Sequence, residues 1–165
     1  MALPRIPGNI TNMHRLLIVS HTPSPNTRKL TEAVVRGASD QAISDVNVQH
    51  KRPLEATAQD VMRTQGIILG TTENFGYMSG ALKDFFDRIY YPCLEKTQAL
   101  PYCLFVKAGN DGLGAVSSVE RIAKGLTWRA VQQPLICCGP FNDAFEEQCE
   151  ELGMTMAAGL EAGIF

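Results

Sequence analysis

The stretch that decides the fold runs from Gly66 to Arg88: G-I-I-L-G-T-T-E-N-F-G-Y-M-S-G-A-L-K-D-F-F-D-R. Its first five residues, Gly66–Gly70, are apolar throughout, as a central strand buried on both faces of a parallel sheet must be. Leu82, Phe85, Phe86 and Ile89 then recur at i, i+3, i+4 and i+7, one face of a helix predicted over about Ser79–Tyr91. Pro92 is expected to end that helix, since a proline further in costs a backbone hydrogen bond. Between strand and helix lies Thr71–Gly80, with polar side chains, two aromatics and two glycines. Such a loop suits main chain laid against a flat ligand, with Phe75 or Tyr77 in reach of it. An ordinary connection whose aromatic fills the sheet edge would read the same way.

Outward from this segment, short apolar runs alternate with longer amphipathic ones, the pattern of a parallel sheet covered by helices on both faces. A first strand is predicted over Arg15–Ser20, followed by a helix over about Thr27–Ser39 with Leu30, Val34 and Ala38 on one face. A second strand over about Val46–His50 precedes a short helix near Thr57–Arg63. The fourth strand is predicted over about Tyr102–Lys107 and the fifth over about Val131–Cys138. The closing helix, about Asp143–Glu161, buries Phe145, Cys149, Leu152, Met156 and Leu160. At 165 residues the chain is expected to form one domain over 1–165, with residues 1–14 an irregular lead-in to the first strand.

Composition narrows the function. A net charge of −2 is too balanced to argue for nucleic acid or an anionic membrane, and no apolar run is long enough to span a bilayer. The first fifteen residues hold two prolines and no signal-peptide core, so the expected location is cytoplasmic. Five cysteines without a C-x-x-C suggest reduced thiols rather than a disulfide framework or a metal site. Cys137 and Cys138 are adjacent on a strand, so they point to opposite faces as core filler rather than as a redox pair. Lys83 and Asp87 read as an exposed pair, Trp128 as packing, and His14 and His50 as surface residues.

Ligands of an open parallel α/β sheet bind beyond the carboxyl ends of its strands, where the strand order reverses. After the first strand comes S-H-T-P-S-P-N-T, Ser20–Thr27, running directly into a helix. Its hydroxyl and amide groups, with the free N–H groups of the helix start, form a cradle for a phosphate. A Ser/Thr-rich helix cap is the other reading. His21 either donates to that phosphate or faces solvent. After the fourth strand comes K-A-G-N-D-G-L-G, Lys107–Gly114, whose glycines permit close approach of backbone to a ligand. A dinucleotide fingerprint, a P-loop, a receiver-domain acidic pair, a phosphatase cysteine motif and an esterase elbow are all missing at these places.

Three segments resemble the flavodoxin-like FMN proteins, nearest to their NAD(P)H-dependent FMN and quinone reductase group. They are S-H-T-P-S-P-N-T-R-K-L at Ser20–Leu30, I-L-G-T-T-E-N-F-G-Y-M-S-G-A-L-K-D-F-F-D-R at Ile68–Arg88, and K-A-G-N-D-G at Lys107–Gly112. The closing E-L-G…A-A-G-L-E-A-G-I-F is also similar to the end of the reductase group's last helix. The resemblance implies a three-layer αβα sandwich with a five-stranded parallel sheet in the order 2-1-3-4-5. It further implies FMN with its phosphate among Ser20, His21, Thr22, Ser24, Asn26 and Thr27. The ribityl chain and ring would meet Thr71, Thr72, Glu73, Asn74, Phe75 and Gly76, and the ring's other edge Ala108, Gly109, Asn110, Asp111 and Gly112. Thr71 stands where many members have proline.

The chemistry would then be carried by FMN, with no catalytic side chain and no metal expected. Carriers resembling flavodoxin are usually strongly acidic and clamp the ring between aromatics of two loops, whereas Lys107–Gly114 holds no aromatic. The expectation is therefore a reductase, with NADPH or NADH as donor and a quinone, flavin or similar small molecule as acceptor. The resemblance also implies a homo-oligomer, a dimer or a tetramer. The alternatives are a flavodoxin-type electron carrier to protein partners, or an FMN-binding sensor or interaction protein without fast turnover.

Overall fold

The computed structural model describes residues 13–165. The lead-in expected over 1–14 therefore lies outside the described residues as far as residue 12. Its last residue, His14, belongs to the sheet: β1 is His14–Ser20, paired from His14↔Val46 onward with β2, Val46–Lys51. The other strands are β3 (Gly66–Asn74), β4 (Tyr77–Met78), β5 (Pro101–Ala108), β6 (Arg129–Ala130) and β7 (Leu135–Cys138). The helices are α1 (Pro25–Ala38), α2 (Ala58–Met62), α3 (Gly80–Cys93), α4 (Leu113–Gly125) and α5 (Asp143–Glu161).

Strand order along the sheet is β2-β1-β3-β5-β6, with β7 also on β5 and β4 folded back antiparallel on β3. All other pairings are parallel, so the expected order holds, with the fifth strand present in two pieces. β6 pairs with the start of β5 and β7 with its end. Between them lies V-Q-Q-P, 131–134, where Pro134 has no N–H to give to a ladder, which is why the predicted run over Val131–Cys138 does not form one strand.

Alternation along the strands divides the core between the two faces of the sheet. Leu17, Val19, Ile67 and Leu69 pack with Leu82, Phe85, Phe86, Ile89 and Trp128 under α2, α3 and α4. Leu16, Ile18 and Ile68 pack with Leu30, Val34, Cys149, Leu152 and Met156 under α1 and α5. Each such large side chain, fully buried, stabilises the fold by about 1.5–3 kcal/mol. Trp128 is a packing residue, 6.2 Å from the rings of both Phe86 and Tyr102, with its Nε1 donating to Thr97 Oγ1 at 2.9 Å. α1 and α5 touch backbone to backbone: a Cβ on Gly37 would lie 1.9 Å from the carbonyl oxygen of Glu150.

Two helix boundaries differ from expectation for local reasons. α1 begins at Pro25 rather than Thr27, because Ser24 caps it and proline is tolerated in a first turn whose N–H groups lack partners. α3 runs through Pro92 to Cys93, since a proline in the last turn removes one bond and the Leu94 N–H closes the helix onto Tyr90 O at 2.9 Å. The expected Lys83–Asp87 pair forms one turn apart at 2.6 Å on the exposed face of α3. Cys137 is buried and Cys138 exposed, so the two point to opposite faces as expected, but only Cys137 is core filler.

Candidate functional site

The carboxyl ends of β1, β3 and β5 are brought together by register. Ser20 lies opposite Gly70, Gly70 opposite Phe105 and Thr72 opposite Lys107. The N–H of His21 donates to Gly70 O at 2.9 Å, so the first loop leaves the sheet already tied to β3.

Within that loop the side chains satisfy one another. Buried Ser20 shares a hydrogen bond with Thr31 Oγ1 at 2.8 Å and another with His50 Nε2 at 3.0 Å. Thr22 Oγ1 reaches the same Thr31 hydroxyl at 2.9 Å. Ser24 and Thr27 form a reciprocal capping box: the Thr27 N–H donates to Ser24 Oγ at 3.1 Å, and the Ser24 N–H to Thr27 Oγ1 at 3.0 Å. The helix-cap reading is thus realised in the structure. It spends the Thr27 N–H on Ser24 Oγ and the Thr27 hydroxyl hydrogen on Ser24 O, while the positive end of α1 remains at the loop. Asn26, in the first turn of α1, is exposed.

The second segment differs most from expectation. Thr71–Asn74, read as loop, continues β3 as strand and pairs back with β4 through Glu73↔Met78 and Asn74↔Tyr77. The turn is only Phe75 and Gly76, both with positive φ at 54° and 69°, as the tight turn of a two-residue hairpin requires. Phe75 is fully exposed at the tip, with a relative accessibility of 107%. Thr71 is buried, and its hydroxyl accepts from the Ser79 N–H at 2.9 Å while donating to Thr72 O at 2.8 Å. It thereby ties β3 to the cap of α3 rather than facing the loop. Thr72 Oγ1 donates to Asn74 Oδ1 at 3.0 Å. The hairpin leans on α4: the Met78 N–H donates to Ser118 Oγ at 3.1 Å, and a Cβ on Gly114 would lie 1.9 Å from Gly76 O.

The third segment is the barest. Ala108 is buried, while Gly109, Asn110 and Asp111 are exposed, and a Cβ on Gly109 would meet no atom within 4 Å. Gly112, with φ 73°, carries the chain into α4, and Asp111 Oδ1 accepts from the Leu113 N–H at 3.0 Å. Lys107 does not reach toward the other loops. Its Nζ donates to Gly139 O at 2.5 Å and Ala108 O at 3.3 Å, fastening the end of β5 to the turn after β7. The Cys138 thiol contacts Asn110 O from the same side.

Two residues of this region were not read as part of the site. Thr31 joins Ser20 to Thr22 from inside the helix, and His50, exposed as expected of a surface residue, also joins the network from β2. The signal for His50 was strand parity: it shares the α1 face with Val46 and Val48, and in the parallel ladder it stands level with Ile18, two residues before Ser20. Burial lowers the pKa of both His21 and His50, Glu55 opposing the shift at His50 and Arg52 adding to it. A cavity of about 670 Å³ opens beside the first loop, lined by Ser20, His21 and Thr22 but by neither of the other two segments. Among the described residues no group of three or more His, Cys, Asp or Glu is placed to hold a metal, and no helix is long and apolar enough to cross a membrane.

This architecture has solved counterparts. An archaeal flavodoxin superposes with a TM-score of 0.76 at 18% identity, covering 89% of this chain and 99% of its own. The fold is flavodoxin-like. A flavodoxin, WrbA-like protein from Agrobacterium tumefaciens has a TM-score of 0.70 at 15% identity, covering 92% of this chain and 98% of its own. An oxidoreductase from Corynebacterium diphtheriae shares the flavodoxin-like fold with a TM-score of 0.66 at 16% identity, covering 92% and 96%. In sequence, a flavodoxin of Aquifex aeolicus (strain VF5) is 30% identical over 102 residues, or 62% of this chain. The match spans about half of that relative's length, 54%. No protein-family model matches the chain.

Proposed function

We propose that this chain binds FMN at the joined carboxyl ends of β1, β3 and β5 and takes part in electron transfer. The observation that carries the reading is the register that sets Ser20, Gly70 and Phe105 side by side, so that the three flavodoxin-resembling segments leave the sheet from adjacent strand ends. The groups present suit the cofactor. A monoester phosphate matches the hydroxyl-rich loop Ser20, Thr22, Ser24 and Thr27, with Asn26 and His21 as further donors and the α1 dipole behind them. A flat ring matches the open backbone at Gly109 and the exposed aromatic at Phe75. When bound, FMN supplies the redox chemistry, accepting a hydride or passing single electrons.

The chain's own part is then position and access. Thr31 and the Ser24–Thr27 box hold the phosphate loop in one conformation before any ligand arrives. The Gly76–Gly114 contact fixes the height of the hairpin above the sheet. The bare segment Gly109–Asp111 leaves one side of the crevice without an aromatic cover. This openness favours a nicotinamide donor, NADPH or NADH, and a small acceptor of quinone or flavin type. The likeness to the Aquifex flavodoxin favours a second reading, a one-electron carrier to protein partners. Colour and reactivity separate the cases. The purified protein incubated with FMN is expected to turn yellow and to bleach under anaerobic NADPH or NADH within seconds. A yellow protein that neither nucleotide bleaches is a carrier or a sensor, and a protein that quenches no FMN fluorescence removes the cofactor reading altogether.

A further inference from the structure

We propose that the cavity between α1 and β2 is a second ligand site, built for a nucleoside phosphate, which adjoins the flavin crevice and shares the wall formed by Ser20, His21 and Thr22. It does not rest on the FMN reading. The cavity lies on the α1 side of the sheet, where strand alternation points Ser20 and His50, and it opens over the free edge strand β2 rather than over β3 and β5. About 670 Å³ is the size of pocket that takes a nucleotide, and an inorganic phosphate would leave most of it empty.

The wall chemistry points to an organic phosphate. Arg28, Arg36 and Arg52 all line it, the first two spaced two turns apart on α1 and the third just beyond β2. Arg36 donates its Nε to Glu150 at 2.9 Å, and Arg52 bonds Glu55 through Nε at 3.1 Å and through an Nη. Neither carboxylate lines the cavity; they hold the two guanidinium groups in place while leaving further N–H donors unspent. Arg28 has no ion pair among the described residues. Forked guanidinium donors are matched to phosphate oxygens. Glu32, one helical turn from both Arg28 and Arg36, is the one carboxylate in the wall. It disfavours a bare phosphate but accepts hydroxyl hydrogens, which a ribose offers. Pro23 and Val35 supply apolar wall for a base.

The probe is ADP, titrated calorimetrically into the purified protein with and without FMN, against inorganic phosphate and adenosine as controls. ADP is expected to bind at least about tenfold more tightly than either control, in both states of the protein. The double variant Arg36→Ala/Arg52→Ala removes two exposed guanidinium groups away from the phosphate loop. It should weaken ADP about tenfold or more, while FMN affinity, read by flavin fluorescence, moves less than about twofold. Glu32→Gln, close to the wild type in shape, should narrow the preference for ADP over inorganic phosphate. The proposal is overturned if ADP fails to bind at millimolar concentration, binds no better than phosphate, displaces FMN one for one, or binds the double variant and Glu32→Gln as it binds the wild type. A protein that binds ADP as described but not FMN would sink the cofactor reading and leave this one standing.

Discussion

The Ser20–Thr27 loop and the Thr71–Met78 hairpin rise from neighbouring strands at the same edge of the sheet, yet they are held by opposite means. The first is knitted by side chains: Thr31 gathers Ser20 and Thr22, and Ser24 and Thr27 cap each other. The second is held by main chain, through its own ladder, the Gly76–Gly114 approach and the bonds at Thr71 and Ser118, and it leaves Phe75 wholly in solvent. A phosphate end needs a fixed geometry of small donors before binding, whereas a ring end needs a surface that can be approached. On the proposed FMN reading the same edge would provide both, because hydroxyls rigidify one segment and backbone packing sets the height of the other.

The largest effect should come from prying the hairpin off α4. In Gly114→Ala the new methyl meets the Gly76 carbonyl oxygen, which belongs to backbone and cannot swing away. A loss of about 1–3 kcal/mol is expected in urea unfolding, with FMN affinity falling alongside. A stability matching the wild type would show that the hairpin is not fixed by this contact.

Removing the knot of the first loop should cost somewhat less. Thr31→Val keeps the shape but leaves buried Ser20 and half-buried Thr22 each short of a partner, worth about 1–2 kcal/mol at equilibrium unfolding. FMN binding should weaken about tenfold, the fold-change that corresponds to about 1.4 kcal/mol. If stability falls and FMN affinity does not, the loop's order serves the fold alone.

Phe75→Gly separates the two regions most cleanly. The exposed ring packs against nothing in the fold, and its backbone sits at φ 54°, where glycine is at ease, so stability should hold or rise by up to about 1 kcal/mol. Any loss of FMN affinity or of turnover in that variant then reports on the ring itself.

The smallest effect is a pH dependence. His50 has a folded-state pKa below the ordinary 6.5 through burial, so the folded protein binds fewer protons than the unfolded chain in that window. Stability should therefore rise with pH up to about 6.5 and decline as pH falls below it, levelling off beneath the folded pKa. His21 acts in the same direction. His50→Gln should flatten the slope in part; an unchanged slope would place its origin elsewhere.

Periodicity and turn chemistry made most of the framework legible. The i, i+3, i+4, i+7 stripe of Leu82, Phe85, Phe86 and Ile89 is buried as read, and α5 spans the residues expected of it. Local patterns failed where a neighbour overrode them. Thr71–Asn74 has the composition of a loop, but β4, itself held to α4 through Met78 and Ser118, offers it a ladder from residues further along the chain, and it becomes strand. Val131–Cys138 has the composition of a strand, but Pro134 interrupts its ladder against β5.

What the amino-acid order determined by itself was most of the elements, the two-faced core and the three segments proposed to meet a ligand, because these depend on spacing within a few residues. What only the tertiary structure decided was which side chains meet: Thr31 with Ser20, His50 across from β2, Gly114 beneath Gly76, and three arginines around one cavity. Those pairs are separated in sequence by distances that no periodicity spans, and they come together only when parallel register and helix packing place one strand's end beside another's.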